Sequence, residues 1–268
     1  DETCAPWGNT IHDTWESVDT RPFNFGSFVW TGFDYRGEPT PFTWPSVATF
    51  FGTYDSCGFE KDGCFLYKAY WHEEPVLHLL PHWNLGLEKG TPVRVMAFTN
   101  CDEVELFLNG ASLGRKKVGN DFHQFYCCWD VTYAPGTLLA VAYIGGREAG
   151  RYELSTAGTP RLSVRADKRI LRAGSNDLSY VEIELRDENG ILYMTSDRTA
   201  TVRVDGTAVL AGCGSANPCT EERYDSLTHR FFEGRILAIL RAGEQAGKTS
   251  LTVSAEGMKS VTVEVETV

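Results

Sequence analysis

Glu103-Val104-Glu105-Leu106-Phe107-Leu108-Asn109-Gly110 is the stretch on which the fold class turns. Polar and apolar residues alternate with a period of two, which puts one set of side chains on each face of a strand. Asn-Gly follows at once, and that pair accepts the left-handed backbone of a tight hairpin turn. Outward from this hairpin the same grammar repeats. Pro92 to Phe98, Phe122 to Val131 and Thr137 to Tyr143 read as strands, the last entered through Pro135-Gly136, and Ile144-Gly145-Gly146-Arg147 reads as a turn. Ser155 to Pro160 is small and polar, as a linker would be.

A second series starts at Arg161. Leu162 to Ala166, Tyr180 to Arg186, Thr199 to Val204, Arg235 to Arg241, Thr249 to Ala255 and Ser260 to Val265 alternate in the same way, with turn residues such as Asp187-Glu188-Asn189-Gly190 between them. Short strands at about ten-residue spacing predict β-sandwiches. Gly212-Cys213-Gly214-Ser215 reads as a turn rather than a nucleotide-binding loop, since no helix follows it.

Residues 1–75 have a different texture, rich in aromatics, with Trp7, Trp15, Trp30, Trp44 and Trp71. Thr10 is a plausible N-cap, and Ile11, Trp15 and Val18 recur at helical spacing until Arg21-Pro22. Phe25 to Phe33 is a short apolar run between glycines and predicts a buried parallel strand. Asp34 to Pro41 is polar and rich in Pro and Gly, so it predicts a loop. Helix, buried strand and charged loop together make one α/β unit with a site-forming loop at the strand's C-terminal end.

The formal net charge is -11, and residues 1–75 hold 12 Asp and Glu against 4 Lys and Arg. An acidic chain without a basic stripe argues against nucleic acid as a partner, while a neutral sugar is compatible with it. No apolar run approaches the roughly 20 residues of a membrane helix, so no membrane partner is expected. The start, Asp1-Glu2-Thr3-Cys4-Ala5-Pro6, lacks a signal-peptide pattern and reads as interior to a longer protein. The eight cysteines show no paired metal spacing, and most are expected to be free, buried thiols, which leaves the redox compartment open. His78 and His82 are four apart, but Pro75 and Pro81 break a helix there, so no metal site is expected.

The chemistry-bearing candidates cluster early. Trp30 sits near the end of the predicted strand and offers a rigid platform for the apolar face of a sugar; the alternative is a core indole. Asp34, Arg36 and Glu38 follow within eight residues, and carboxylates held by an Arg fork can read sugar hydroxyls; the alternative is a solvated loop. Tyr35 and Trp44 could line an outer subsite or simply cover the loop. Retaining glycoside hydrolysis needs two carboxyl groups about 5–5.5 Å apart, and Glu2 lies near the place where one would fall, unless it is only a terminal Glu.

Several motifs carry a resemblance. Trp7-Gly8-Asn9-Thr10, Arg21-Pro22, Gly26 to Pro41 with its core Phe28-Val29-Trp30-Thr31-Gly32-Phe33-Asp34-Tyr35, Trp44-Pro45 and Phe51 to Asp62 resemble the seventh helix, eighth strand and eighth helix of bacterial glycoside hydrolase family 2 β-galactosidases. Phe65 to Trp71 resembles their closing barrel helix, Val104 to Gly110 with Leu113-Gly114 their first immunoglobulin-like domain after the barrel, and Arg161 to Val268 an invasin-like sandwich. The resemblance implies a mostly β chain: the end of a (β/α)8 barrel at residues 1–75, an immunoglobulin-like sandwich at 76–158 and a second at 160–268. It implies that Trp30 forms the floor of a galactose subsite and that Asp34 lies near it. It puts the nucleophile at or just before Glu2, and the acid/base on a barrel strand absent from this chain. No cofactor is implied. The implied partners are a carbohydrate substrate and the remainder of a parent enzyme that cleaves terminal β-D-galactosides by double displacement. The rival reading makes the sandwiches a carbohydrate-binding or structural module, such as a spacer or a homo-oligomer contact.

Overall fold

The computed structural model describes Cys4, residues 6–119 and residues 124–268. They form two compact units, Asp1–Thr156 and Ala157–Val268.

The first unit opens with α1 (Ile11–Asp19) and, after a long irregular stretch, α2 (Asp62–Trp71). Seven strands follow: β1 (Leu77–Leu80), β2 (Pro92–Thr99), β3 (Glu103–Leu108), β4 (Ala111–Lys117), β5 (Tyr126–Thr132), β6 (Thr137–Ile144) and β7 (Arg147–Ser155). They pair antiparallel into two sheets, β1-β2-β5 and β4-β3-β6-β7. The predicted turns form as read. Asn109 and Gly110 both take positive φ, 51° and 82°, and so do Gly145 and Gly146, at 57° and 77°. Both are two-residue hairpin turns whose twist matches the flanking strands. Asn109 also accepts from the Thr137 amide at 2.8 Å, tying its hairpin to β6.

Inward-facing Leu79, Val95, Val104, Leu106, Trp129 and Leu138 make the core of this sandwich. A smaller cluster of Leu66, Met96 and Phe98, with Ile11 and Tyr70 packed against it, seats α2 on β2. α2 is therefore held by burial, while α1 has no buried residue of its own. Each fully buried Leu or Phe contributes about 1.5–3 kcal/mol relative to exposure.

The second unit holds β8 (Arg161–Ala166), β9 (Ile170–Leu171), β10 (Leu178–Arg186), β11 (Thr199–Gly206), β12 (Val209–Gly214), β13 (Thr228–Arg230), β14 (Arg235–Arg241), β15 (Gly247–Ala255) and β16 (Val261–Thr267). Their sheets are β12-β14-β10-β8 and β13-β11-β15-β16-β9. The pairing is antiparallel except between β16 and β9. Val181, Ile183, Leu185, Ile236, Leu240, Leu251 and Val253 fill the space between the sheets. The stretch Gly212 to Gly214, expected as a turn, is instead the end of β12: Gly214 has no Cβ to clash with the Tyr224 ring that lies 2.9 Å from where one would stand. The expected β5 start at Phe122 falls outside the described residues.

The predicted barrel end is not formed. No strand is assigned between Phe25 and Phe33; Phe25 and Phe28 are fully exposed, and the run's only ladder contact is an isolated parallel bridge from Phe33 to Tyr54. A buried parallel strand needs partners along both edges and cover on both faces, and the described residues of this chain supply neither. All eight cysteines are free thiols, with Cys64, Cys101, Cys127 and Cys213 buried. Burial pushes the Cys127 and Cys213 thiols up to about 12, which keeps them unreactive.

Candidate functional site

A hollow of about 780 Å³ in the first unit opens between the N-terminal end of α1, the Ser27 to Trp30 stretch, the Thr40 to Phe42 turn, the Phe50 to Thr53 segment and the start of α2. Thr10 caps α1 by accepting from the Asp13 amide at 3.0 Å. Trp15, five residues further, stacks on Tyr70 of α2 with ring centres 6.0 Å apart, so the helix wall of the hollow is braced. Trp30 forms the opposite wall. The residue is 73% exposed, and its ring meets Tyr35 edge-on at 6.3 Å. Tyr35 in turn leans edge-on against Phe51 at 6.2 Å.

A lattice of backbone and side-chain bonds holds this shelf. The Thr53 amide donates to Thr31 O, the Tyr54 amide to Gly32 O and the Asp34 amide to Tyr54 O. Gly52 lets the two segments touch, since a Cβ there would sit 2.3 Å from the Asp34 nitrogen. Asp34 is the hub. Its Oδ1 accepts from the Thr49 hydroxyl at 3.0 Å and the Gly52 amide at 2.8 Å, and its Oδ2 accepts from Lys61 Nζ at 2.7 Å.

The sequence candidates thus part company. Trp30 lines the hollow; Asp34, Arg36, Glu38 and Trp44 do not. Asp34 was expected to read sugar hydroxyls; in the structure both its oxygens accept from protein donors, which ties the loop together. Glu38 sits in the left-handed region at φ 46° and accepts a hydrogen bond from the Tyr35 hydroxyl; that carboxylate pushes the Tyr35 phenol up from its ordinary range. Arg36 belongs to a strand-like bridge with Ala48. Trp44 is exposed outside the hollow. Glu2 lies outside the described residues. Sequence reasoning missed Lys61, which donates to Asp34 and, at 2.6 Å, to Phe50 O. No local pattern announces it, because the contact spans 27 residues of chain. His78, weighed against zinc, is a packing residue: it pairs with Asp62 at 2.8 Å and stacks on Phe65. Among the described residues no group of three or more His, Cys, Asp or Glu is placed to hold a metal. No described helix is long and apolar enough to cross a membrane.

The fold has counterparts among known proteins. Residues 162–264 match the model of the glycoside hydrolase family 2 C-terminal domain 5. The β-galactosidase BoGH2A of Bacteroides ovatus is 37% identical over 98% of this chain. The chain belongs to glycoside hydrolase family 2. Residues 90–150 also match a domain of unknown function, DUF4982. A putative β-glucuronidase of Formosa agariphila is 35% identical over 90% of the chain. Among solved structures, a family 2 member from Bacteroides cellulosilyticus superposes with a TM-score of 0.90 at 28% identity over 96% of this chain and 38% of its own. A β-glycosidase from Bacteroides vulgatus does so at 0.87 and 31% identity, over 96% of this chain and 32% of its own. The chain spans 31% of the Bacteroides ovatus relative and 24% of the Formosa agariphila one.

Proposed function

We propose that this chain is part of a retaining β-glycosidase that hydrolyses terminal β-D-galactosides. In this reading the hollow beside Trp30 receives the sugar, whose apolar C–H face lies on the exposed indole. One carboxylate attacks the anomeric carbon while a second carboxyl group protonates the departing glycosidic oxygen. Water then cleaves the glycosyl ester and the second group takes its proton. Neither carboxyl group is among the described residues. In this reading the parent protein's remaining part carries the acid/base, and Glu2 of this chain is a candidate nucleophile.

The observation that carries the proposal is the exposed ring of Trp30 on the wall of a sugar-sized hollow. A second fact supports a covering partner. Phe23, Phe25, Phe28, Trp30, Phe42 and Trp44 are all exposed within 22 residues, and a soluble protein rarely leaves so dense an apolar patch in water. The remainder of the enzyme covers it in this reading, and carbohydrate fills the hollow that is left. The similarity to a β-galactosidase along nearly the whole chain supports the galactoside reading.

Kinetics of Trp30→Ala in the full-length protein on an aryl β-galactoside tests the reading. Loss of the platform is expected to lower kcat/KM about 10-fold or more, since stacking and shape are worth on the order of 1–3 kcal/mol. A change below about twofold rejects the role.

A further inference from the structure

Lys61 is the one charged side chain among the described residues that line the hollow; the others are aromatic, aliphatic, hydroxyl, amide, thiol or glycine. Its ammonium carries three protons. One goes to Asp34 Oδ2 at 2.7 Å and one to Phe50 O at 2.6 Å. Among the described residues the third has no acceptor. The Asp34 side chain is 10% exposed and Lys61 32%, so the cation stands in front and the anion behind. Lys61 thus lines the hollow with its charge already balanced by Asp34.

We propose that the Lys61–Asp34 pair makes this site select an uncharged glycone over a uronic acid. This rests on the glycosidase reading above and names its substrate class. The third proton of Lys61 donates to a hydroxyl oxygen of a neutral pyranose. A uronate carboxylate entering the same space would meet an ammonium already neutralised at contact distance. It would also meet the Asp34 charge just behind, in a setting where apolar walls weaken screening. Charge balance thus acts as discrimination against the anionic sugar. Asp34 serves as a positioning residue and Lys61 as a ligand-binding one.

The test compares kcat/KM for an aryl β-galactoside and the matching aryl β-glucuronide in the full-length protein. Asp34→Asn keeps the shape and unmasks one positive charge. It is expected to raise the glucuronide-to-galactoside ratio about 10-fold or more, whereas a loop that is merely disturbed lowers both substrates together and leaves the ratio in place. Lys61→Met is expected to lower galactoside kcat/KM about 10-fold without raising the ratio. Among monodeoxy galactosides, one is expected to react equally with wild type and Lys61→Met, which identifies the hydroxyl that Lys61 contacts. If Asp34→Asn does not fold, Lys61→Met decides alone: full galactoside activity overturns the proposal. An unchanged ratio in folded Asp34→Asn also overturns it while leaving the galactosidase reading intact. A wild-type protein inactive on both substrates overturns that reading, and this proposal with it.

Discussion

The second sandwich and the segment before Pro75 show two ways of using apolar residues. In β10, Val181, Ile183 and Leu185 point inward at every second position, and each is fully buried by strands of the same unit. In the segment Phe23 to Trp44, an equally apolar sequence leaves its rings in the open. The sandwich satisfies its backbone within its own ladders. The segment relies on a few long-range bonds to 47–61 and on one hub carboxylate. Self-sufficiency comes from pairing, not from hydrophobicity. A segment without partner strands holds its shape by exact close approaches, and is correspondingly easy to break.

Gly52→Ala is the sharpest way to break it. The new Cβ would lie 2.3 Å from the Asp34 nitrogen, 2.6 Å from the Phe33 carbonyl carbon and 2.7 Å from Tyr54 O, all backbone atoms. No rotamer relieves such contacts, so the two segments must separate, at a cost of about 3 kcal/mol or more. Hydrogen exchange is expected to lose protection at the amides of Asp34, Thr53 and Tyr54 while β10 and β14 keep theirs. Unchanged protection at those three amides would mean that the segment does not depend on this approach.

The same contrast explains how much was legible in the sequence. Strands such as Glu103 to Leu108 and Arg235 to Arg241 could be read to the residue, because one buried face imposes a period of two and the turns carry their own chemistry. The edge strands β4 and β7 were missed, since every residue of β4 is exposed and none of β7 is fully buried. The Phe25 to Phe33 run was misread because its apolar character matches a strand, while a strand's existence depends on neighbours that local sequence does not contain. At the site, Trp30 was legible as a large exposed aromatic beside a loop. Asp34 was noticed for its charge, but its engagement by Thr49, Gly52 and Lys61 depends on a chain return 15 to 27 residues later.

Asp187 tests the sandwich side of the comparison. Its Oδ1 accepts the amides of Asn189 and Ile191, both at 2.9 Å, and its Oδ2 that of Gly158 at 2.8 Å. The Gly158 amide and then those of Ile191 and Asn189 hold its carboxyl below the usual carboxylate range against the opposing effect of burial. Asp187→Ala is expected to cost about 1–2 kcal/mol at neutral pH by orphaning amides. Because the folded carboxyl is the stronger acid, its contribution is complete above the ordinary Asp range. It drains away as pH falls through the depressed value. Urea melts of the second unit, wild type against Asp187→Asn, should therefore converge at low pH. A gap that widens on acidification would show the sign to be wrong.

The smallest effect belongs to the helix cap. Thr10 accepts the Asp13 amide at the start of a nine-residue helix that has no fully buried residue, so the cap carries an unusual share of its stability. Thr10→Ala removes the side-chain oxygen and is expected to cost about 1 kcal/mol. If the segment before Pro75 is only loosely coupled to its sandwich, that cost appears locally, as roughly fivefold faster exchange of amides in the first turn of α1. The melting of β2 and β5 then stays where it was. If instead the Leu66, Met96 and Phe98 cluster couples the helices rigidly to β2, the whole first unit melts earlier and the α1 amides gain no separate opening. A common shift of that kind would make the segment part of the sandwich's own cooperative unit, and the contrast between the regions would reduce to a difference in exposure alone.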